Sequence, residues 1–181
     1  MVKVAVILAN GFEEIEALAP VDVFRRAGFD CQILGLNSQE VEGSHGIRVQ
    51  TDQMFSGELS PFDLIVLPGG MPGSVNLRDD DRLISALKRA VEMGKSIAAI
   101  CAAPIVLDKA GLLDSRCYTC FPGKEADIQS GIHLAENVVV DGPIITSRGA
   151  GTSLDFAYKL VDLFGGDGTE LAQTMVYKIE K

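Results

Sequence analysis

The sequence predicts an α/β protein built on a mostly parallel sheet with helices on both faces. Strand-like and helix-like patterns alternate along the 181 residues. The strand-like runs are short and continuously apolar, as expected for parallel strands buried on both faces. Glycine-rich turns punctuate the runs. Because no repeat, linker or low-complexity segment divides the chain, we expect a single domain over residues 1–181.

The first part of the chain predicts two strands, a helix and a hairpin. Residues 2–8 are apolar and rich in β-branched side chains, which favours a strand. Residues 13–27 predict a helix with acidic residues near its start and Gly28 after its end. Residues 29–36 predict the next strand, and residues 41–51, interrupted by Gly43 and Gly46, an edge hairpin.

The middle of the chain predicts two buried strands, each close to a helix. Residues 62–67 are a buried strand that ends in Pro68, Gly69 and Gly70. Residues 80–94 are an amphipathic helix because one stripe is apolar (Leu83, Ile84, Leu87, Ala90, Val91). Residues 96–100 are the second buried strand. Residues 102–107 predict a helix with Pro104 in its first turn, where the missing N–H costs nothing.

The last part predicts a strand, a hairpin and a long helix. Residues 116–121 have a strand pattern, and residues 137–140 and 144–146 form a hairpin around Asp141 and Gly142. The last long helix covers residues 152–164, and residues 167–181 are a terminal tail.

Composition narrows the possible functions. The formal charge of −9 argues against nucleic-acid binding, which requires a basic face. No apolar stretch approaches the ~20 residues of a spanning helix, and no signal peptide is apparent. Four cysteines in such a chain favour a reducing compartment. We therefore expect a cytoplasmic protein without membrane or nucleic-acid partners.

The pair Cys117 and Cys120 matches a C-x-x-C motif. In a strand the two Cα atoms would be roughly 10 Å apart, too far for a disulfide. No second C-x-x-C or clustered histidine completes a zinc site. We interpret both as ordinary strand residues rather than redox or metal groups, and we expect no metal and no cofactor.

Cys101 is the strongest candidate for chemistry, because it follows a buried strand and precedes a helix. At such a turn the thiol faces the positive end of the helix dipole and its free N–H groups, which favour thiolate. Nucleophiles are presented in the same way in hydrolases, although the flanking glycines of that motif are absent here. The alternative is that Cys101 is a small core residue.

Ligands bind at the carboxyl ends of parallel strands, so the turn at residues 9–11, the turn at residues 68–70 and Cys101 should meet. Near the first turn lie Glu13, Glu14 and Glu16, with Pro20 expected to kink the helix. Glu13 and Glu14 fit simple dipole complementarity. Glu16 is the better partner for the thiol, although dipole complementarity also remains open for it.

If Glu16 and Cys101 meet at about 4 Å, two negative charges repel by roughly 4 kcal/mol, or about three pKa units. We therefore expect a thiolate paired with a protonated Glu16, which would also shuttle protons. Backbone N–H groups of Gly69 and Gly70, with that of Ala102, are candidates for an oxyanion hole. A plain turn is the alternative for the two glycines.

Two histidines are alternative bases for Cys101. His45 lies in a predicted solvated loop, whereas His133 is the better candidate to approach from a neighbouring loop. The turn after residue 70 has no lysine, so a phosphate-binding loop is not expected. Arg25, Arg26 and Arg148 are either solvated side chains or partners across a subunit interface.

Five stretches of the sequence resemble the ThiJ/PfpI superfamily, in the branch of the Parkinsonism-associated protein DJ-one and its bacterial relatives. They are residues 6–16 (VILANGFEEIE), 20–28 (PVDVFRRAG), 66–70 (VLPGG), 98–104 (AAICAAP) and 146–152 (TSRGAGT). The resemblance spans nearly the whole chain in order. It implies a flavodoxin-like three-layer α/β/α sandwich, a homodimer, and a strand-to-helix nucleophile elbow.

The resemblance also implies roles for individual residues. It assigns the nucleophile to Cys101, the acidic partner to Glu16, and the backbone donors to Gly70 and Ala102. The superfamily's proteases carry histidine directly after the cysteine, so Ala102 argues against peptidase activity. The loop histidine of some glyoxalase members is not cleanly matched by His133.

Two functions follow from the resemblance. The first is a cofactor-free glyoxalase or protein deglycase acting on methylglyoxal, glyoxal or their adducts with protein side chains. The second is an oxidative-stress sensor, with chaperone-like or partner-binding properties, whose Cys101 is oxidised to sulfinate. Both use the same sulfur and can coexist.

Overall fold

The computed structural model describes residues 1–177 and gives them an α/β architecture. The strands are β1 (Lys3–Leu8), β2 (Asp30–Gly35), β3 (Glu40–Glu42), β4 (Arg48–Gln50), β5 (Gln53–Met54), β6 (Leu64–Leu67), β7 (Ser96–Ile100), β8 (Cys117–Tyr118), β9 (Ile132–His133), β10 (Val138–Asp141) and β11 (Ile144–Ser147). The α-helices are α1 (Glu14–Arg26), α2 (Gly73–Arg78), α3 (Asp81–Glu92), α4 (Pro104–Lys109), α5 (Ser153–Leu163) and α6 (Gly168–Thr174).

The main sheet has seven strands in the order β10-β11-β7-β6-β1-β2-β5. All neighbouring pairs are parallel except β10 and β11, which form the predicted antiparallel hairpin. The mostly parallel sheet is therefore confirmed. The carboxyl ends of β1, β6 and β7, three adjacent strands at its centre, bring the turns after them to one edge, as the parallel arrangement requires.

Alternate residues of each central strand pack on opposite faces. On β1, Ala5 and Ile7 belong to a core shared with α2, α3 and α4, whereas Val4 and Val6 belong to a core shared with α1 and α5. Continuous burial of the strands explains their unbroken apolar pattern. Helices on both faces confirm the three-layer α/β/α arrangement.

Several elements differ from the sequence prediction. The predicted hairpin over 41–51 forms as β3 and β4, but as a separate two-stranded sheet. The short β5 and α2 were not predicted, because neither carries enough residues to show a period. The strand predicted over 116–121 is reduced to β8, and α4 begins at Pro104 rather than at residue 102.

The C-terminal end also differs from the prediction. The predicted tail contains α6, which packs against α5. The Asp167 side chain caps the N-terminus of α6. Residues 178–181 of that tail lie outside the described part of the chain. None of the helices within residues 1–177 combines the length and the apolar character that crossing a membrane requires.

Candidate active site

Cys101 sits on a strained turn between β7 and α4. Its φ of 64° lies in the left-handed region, which costs a residue with a Cβ atom roughly 1–2 kcal/mol. Two backbone hydrogen bonds hold the turn: the Cys101 N–H donates to the Ser147 carbonyl at 3.0 Å, and the Phe121 N–H donates to the Cys101 carbonyl at 2.9 Å. The predicted strand-to-helix elbow is present, and it leaves the cysteine half-buried.

Glu16 reaches this cysteine from the first turn of α1, where its side chain is buried. The helix start is fixed by Glu13, whose Oε2 accepts a hydrogen bond from the Glu16 N–H at 2.7 Å. The Glu16 Oε2 accepts a hydrogen bond from the Gly69 N–H at 2.9 Å. The carboxyl group and the Cys101 thiol also form a hydrogen bond, so the predicted pair does meet.

Gly69 and Gly70 allow this close approach. A Cβ atom on Gly69 would lie 2.4 Å from the Glu16 Oε2 and 2.6 Å from the Cys101 Cβ. Gly70 has a φ of 91°, and a Cβ there would lie 2.3 Å from the Glu13 amide nitrogen. A side chain at Gly69 would therefore come between the carboxyl group and the thiol, and one at Gly70 would collide with the backbone before α1.

The environment raises the pKa of both acidic groups. Burial, followed by the charge of Glu13, raises the pKa of Glu16 to about 7, against hydrogen bonds from Cys101 and Gly69 that lower it. Burial, followed by the charge and hydrogen bond of Glu16, raises the pKa of Cys101 to about 12. The N–H groups of Ala102 and Gly70 donate to the sulfur and lower its pKa, but they do not compensate.

These pKa values correct the expectation that peptide dipoles hold Cys101 as a thiolate at neutral pH. Losing water and facing a second negative charge outweigh two amide donors. The pair still shares one proton over a wide pH range, as expected for coupled acids. One member of the pair can therefore accept the proton that the other gives up.

The donors around the sulfur differ partly from the prediction. Gly70 and Ala102 direct their N–H groups to the sulfur. Gly69 does not, because its N–H is already bonded to Glu16. Ser147 and Phe121, whose backbones hold Cys101, were not singled out from the sequence. The only sequence signal for Ser147 was its place in the TSRGAGT stretch.

Neither histidine hydrogen-bonds to Cys101 within residues 1–177. His45 is exposed, but Glu14 holds it in place. The ring Nδ1 of His45 lies 2.8 Å from the Glu14 Oε2, and the backbone N–H of His45 donates to the Glu14 Oε1 at 2.7 Å. The dipole reading of Glu14 is therefore incomplete, because this buried carboxylate mainly anchors the β3–β4 hairpin. His133 packs against the Tyr118 ring at a centroid distance of 5.5 Å. This contact does not support its predicted role as a base for Cys101.

A surface cavity of about 320 Å³ lies against the site, lined by Phe121, Arg148 and Gly149, among others. A Cβ on Gly149, which lines the cavity, would be 3.9 Å from the Glu16 Oε1, so the cavity wall lies next to the carboxyl group. Its size suits a molecule of a few carbon atoms. A cavity of about 350 Å³ between the ends of β1 and β2 contains no thiol.

The other two arginines pair within the chain. Arg25 bonds to Asp52 at 2.8 Å, and Arg26 bonds to Asp22 at 2.7 Å. Both pairs are exposed, so neither contributes much to stability. These intrachain pairs do not support the alternative that Arg25 and Arg26 bind across a subunit interface.

The protein has a mostly parallel sheet flanked by helices, and it presents a cysteine on a strained elbow beside a buried carboxyl group. These features define a class of cysteine-centred α/β proteins. Comparison with known proteins places the chain within that class. The model of the DJ-1/PfpI family matches residues 2–163, and the chain belongs to this family. The resemblance to the ThiJ/PfpI superfamily is confirmed.

Two relatives illustrate the similarity. The chain is 39% identical over 167 residues to the protein DJ-1 homolog B of Arabidopsis thaliana, covering 91% of this chain but only 38% of that protein. It is 40% identical over 166 residues to the protein dj-1beta of Drosophila melanogaster, covering 89% of this chain and 88% of the relative.

Two further relatives have names that state an activity. The glutathione-independent glyoxalase DJR-1.2 of Caenorhabditis elegans is 34% identical, covering 85% of this chain and 83% of that protein. The deglycase PH1704 of Pyrococcus horikoshii is also 34% identical, covering 81% of this chain and 89% of that protein.

Solved structures agree with the fold. The crystal structure of Drosophila melanogaster DJ-1beta matches with a TM-score of 0.93 and 35% identity, covering 97% of this chain and 98% of that chain. The structure of oxidised Toxoplasma gondii DJ-1 matches with a TM-score of 0.92 and 34% identity, covering 98% of this chain and all of that one (100%).

Proposed function

We propose that this protein is a cofactor-independent glyoxalase or protein deglycase acting on 2-oxoaldehydes, such as methylglyoxal and glyoxal, or on their adducts with protein side chains. One observation carries the proposal: the Cys101 thiol is hydrogen-bonded to a buried Glu16 whose pKa is about 7. A carboxylate with that pKa is well matched to proton transfer at neutral pH. The names of the glyoxalase and deglycase relatives support the same reaction.

The first step is attack on the aldehyde. As the sulfur of Cys101 bonds to the aldehyde carbon, the thiol proton passes to the Glu16 carboxylate. The carbonyl oxygen takes up the electron pair of the broken π bond. The N–H groups of Gly70 and Ala102, which already point at the sulfur, stabilise that oxygen. Glu16 then gives its proton to the oxygen, which forms the hemithioacetal and restores the carboxylate.

The second step moves hydrogen within the bound substrate. Glu16, again as carboxylate, removes the proton from the former aldehyde carbon, and the neighbouring ketone oxygen takes up a proton, giving an enediol. Reprotonation at the neighbouring carbon gives a thioester on Cys101, which water hydrolyses to the 2-hydroxy acid and the free thiol. Methylglyoxal plus water becomes lactate: one carbon is oxidised and its neighbour reduced, so no cofactor is required.

The test is lactate production from methylglyoxal by the purified full chain. We expect Cys101→Ser to lower kcat/KM at least about 1,000-fold, because the nucleophile is lost. Cys31→Ser is the matched control, since Cys31 is a buried thiol on β2 away from the elbow, and it should keep wild-type activity. Equal turnover by wild type and Cys101→Ser would refute the proposal.

A second function is favoured by a relative solved in oxidised form, Toxoplasma gondii DJ-1. In this reading a peroxide transfers one oxygen to the Cys101 sulfur and leaves as water or alcohol, giving sulfenate, and a second peroxide gives sulfinate. Gly70 and Ala102 would donate to the new oxygens, and the oxidised form would control a chaperone-like or partner-binding surface. Intact-mass and peptide analysis after dilute peroxide decides it: Cys101 oxidised no more than Cys31 would rule out a sensor.

The remaining expectations stay predictions. We propose a homodimer in the cytoplasm, acting on small carbonyl compounds or glycated side chains without nucleic-acid or membrane partners. The free state of all four cysteines is consistent with a reducing compartment. Peptidase activity is not proposed, because Ala102 occupies the position where the superfamily's proteases carry histidine.

A further inference from the structure

A second cluster of chemically versatile side chains lies beside the active site. β8 and β9 run parallel, with Tyr118 opposite His133. Between them the chain makes a 3-10 turn over residues 124–127. This path brings the sulfur of Cys120, a carboxylate oxygen of Glu125 and a ring nitrogen of His133 within 4.8 Å of one another.

The three side chains are held in place by contacts outside the cluster. Glu125 Oε2 accepts a hydrogen bond from the Gly123 N–H at 2.7 Å and lies 3.9 Å from the Cys120 Sγ. The His133 imidazole packs against the Tyr118 ring at a centroid distance of 5.5 Å. Such outer contacts orient the ligands of metal sites, so that little rearrangement is needed on binding.

We propose that Cys120, Glu125 and His133 form a site for Zn²⁺. Thiolate, carboxylate and imidazole are the three ligand types that zinc prefers, and the presence of sulfur argues against Mg²⁺ or Ca²⁺. Three protein ligands leave the fourth tetrahedral position for water. Cys120 is fully buried while His133 is exposed, so the ion would enter from solvent and rest against the thiol.

The local charge balance permits a divalent cation. A thiolate and a carboxylate together neutralise the charge of Zn²⁺. Lys124 is occupied by an ion pair with Asp127 at 2.8 Å. Arg148 interacts with both Cys120 and Glu125, and Lys124 also acts on Cys120, so both cations oppose binding. We therefore expect an affinity below that of a four-ligand structural zinc site.

The site is also coupled to the elbow by the chain itself. Phe121 follows Cys120, and its N–H holds the Cys101 carbonyl. An ion at Cys120 would restrain the segment that fixes the strained backbone of Cys101. Zn²⁺ should therefore raise Tm, as any ligand specific for the native state does.

The experiment titrates Zn²⁺, in competition with a chromophoric chelator, into the full chain, purified without a histidine tag and stripped of metal. Co²⁺ is titrated in parallel to detect a thiolate-to-cobalt absorption band. We expect one ion per chain. Cys120→Ser should remove the band, and both Cys120→Ser and His133→Gln should weaken Zn²⁺ binding at least about 100-fold, beyond what loss of an outer contact costs. Because His133 is exposed, its substitution tests the site even if Cys120→Ser fails to fold.

Two controls locate the ion. Cys101→Ser tests the active-site thiol, and His45→Gln tests the other group of possible ligands, Glu13, Glu14 and His45. Both variants should bind Zn²⁺ within about threefold of wild type. The proposal is overturned if there is no saturable binding, if Cys101→Ser removes the cobalt band, or if His45→Gln weakens binding as much as His133→Gln. A failure here leaves the glyoxalase proposal untouched.

Discussion

Cys31 and Cys101 are both largely removed from water, and burial raises the pKa of each thiol to about 12. Judged by pKa alone, the two cysteines are equally inert. Cys31 lies within β2, and its main polar neighbour is Arg25, which lowers its pKa and donates to its carbonyl at 3.2 Å. Cys101 lies on the elbow, hydrogen-bonded to Glu16 and to two backbone amides.

The surroundings of the two thiols explain why only Cys101 is expected to react. Cys31 has Arg25 near it, and the carboxylates Asp30 and Asp52 act on its thiol through their charge alone. Cys101 faces a carboxylate whose pKa of about 7 keeps it available as a base, with amide donors placed for the negative charge that follows. The reactive cysteine is therefore distinguished by its proton acceptor rather than by a lowered pKa.

Removing the proton acceptor at Glu16 should have the largest effect on activity. Glu16→Gln keeps the shape of the side chain and an oxygen for the Gly69 N–H, but it cannot accept the thiol proton. We expect kcat/KM for methylglyoxal to fall about 10²- to 10⁴-fold, the usual contribution of general acid–base catalysis. Steady-state kinetics of lactate formation measure it.

Glu14→Gln is the matched control, because Glu14 is a buried glutamate on the same helix that contacts His45 instead of the thiol. Its kcat/KM should stay within about threefold of wild type. If both glutamine variants lost activity equally, the effect would belong to helix packing and not to proton transfer.

The raised pKa of Glu16 also makes the stability of the protein depend on pH. The pKa of Glu16 is raised from 4.5 to about 7, so the native state holds this proton more tightly than the unfolded chain. This contribution is fully present below about pH 4.5 and is lost as pH rises through about 7, about 3 kcal/mol in total. Urea unfolding of wild type should lose that much more free energy between pH 5 and pH 8 than unfolding of Glu16→Gln. Parallel pH curves for the two proteins would contradict it.

The smallest effect concerns the backbone at the two cysteines. Since Cys101 has a positive φ, we expect Cys101→Gly to be more stable than Cys101→Ala by about 1 kcal/mol. At Cys31, in an ordinary strand, the order should reverse, with glycine less stable than alanine by about 0.5–1 kcal/mol. Denaturant midpoints of the four variants measure both differences, and the same order at both positions would show that the elbow stores no strain.

Much of the fold could be predicted from the sequence, because continuously apolar strands and glycine turns are local signals. The meeting of Cys101 with the first helix also followed, since the carboxyl ends of parallel strands share one edge. The protonation state of the Cys101 and Glu16 pair could not be predicted from the sequence. Dipoles can be inferred from a turn, but the burial that outweighs them depends on everything packed around the sulfur.

The rest of the site depends on loops without a period. Nothing local showed that the Gly69 N–H would bond to Glu16 and leave only Gly70 and Ala102 facing the sulfur. His133 was expected near Cys101, yet the pairing of β8 with β9 places it beside Cys120. Such pairings over a dozen residues or more are set by the packed structure and not by residue spacing.

The most direct test of the shared proton is the alkylation rate of Cys101 against pH, followed by peptide mass in wild type and Glu16→Gln. In wild type the rate should rise with a midpoint near pH 7, where Glu16 becomes an acceptor, and then reach a plateau. Glu16→Gln should lack that step. A single rise near the ordinary thiol pKa of about 8.5 in both proteins would contradict the shared proton.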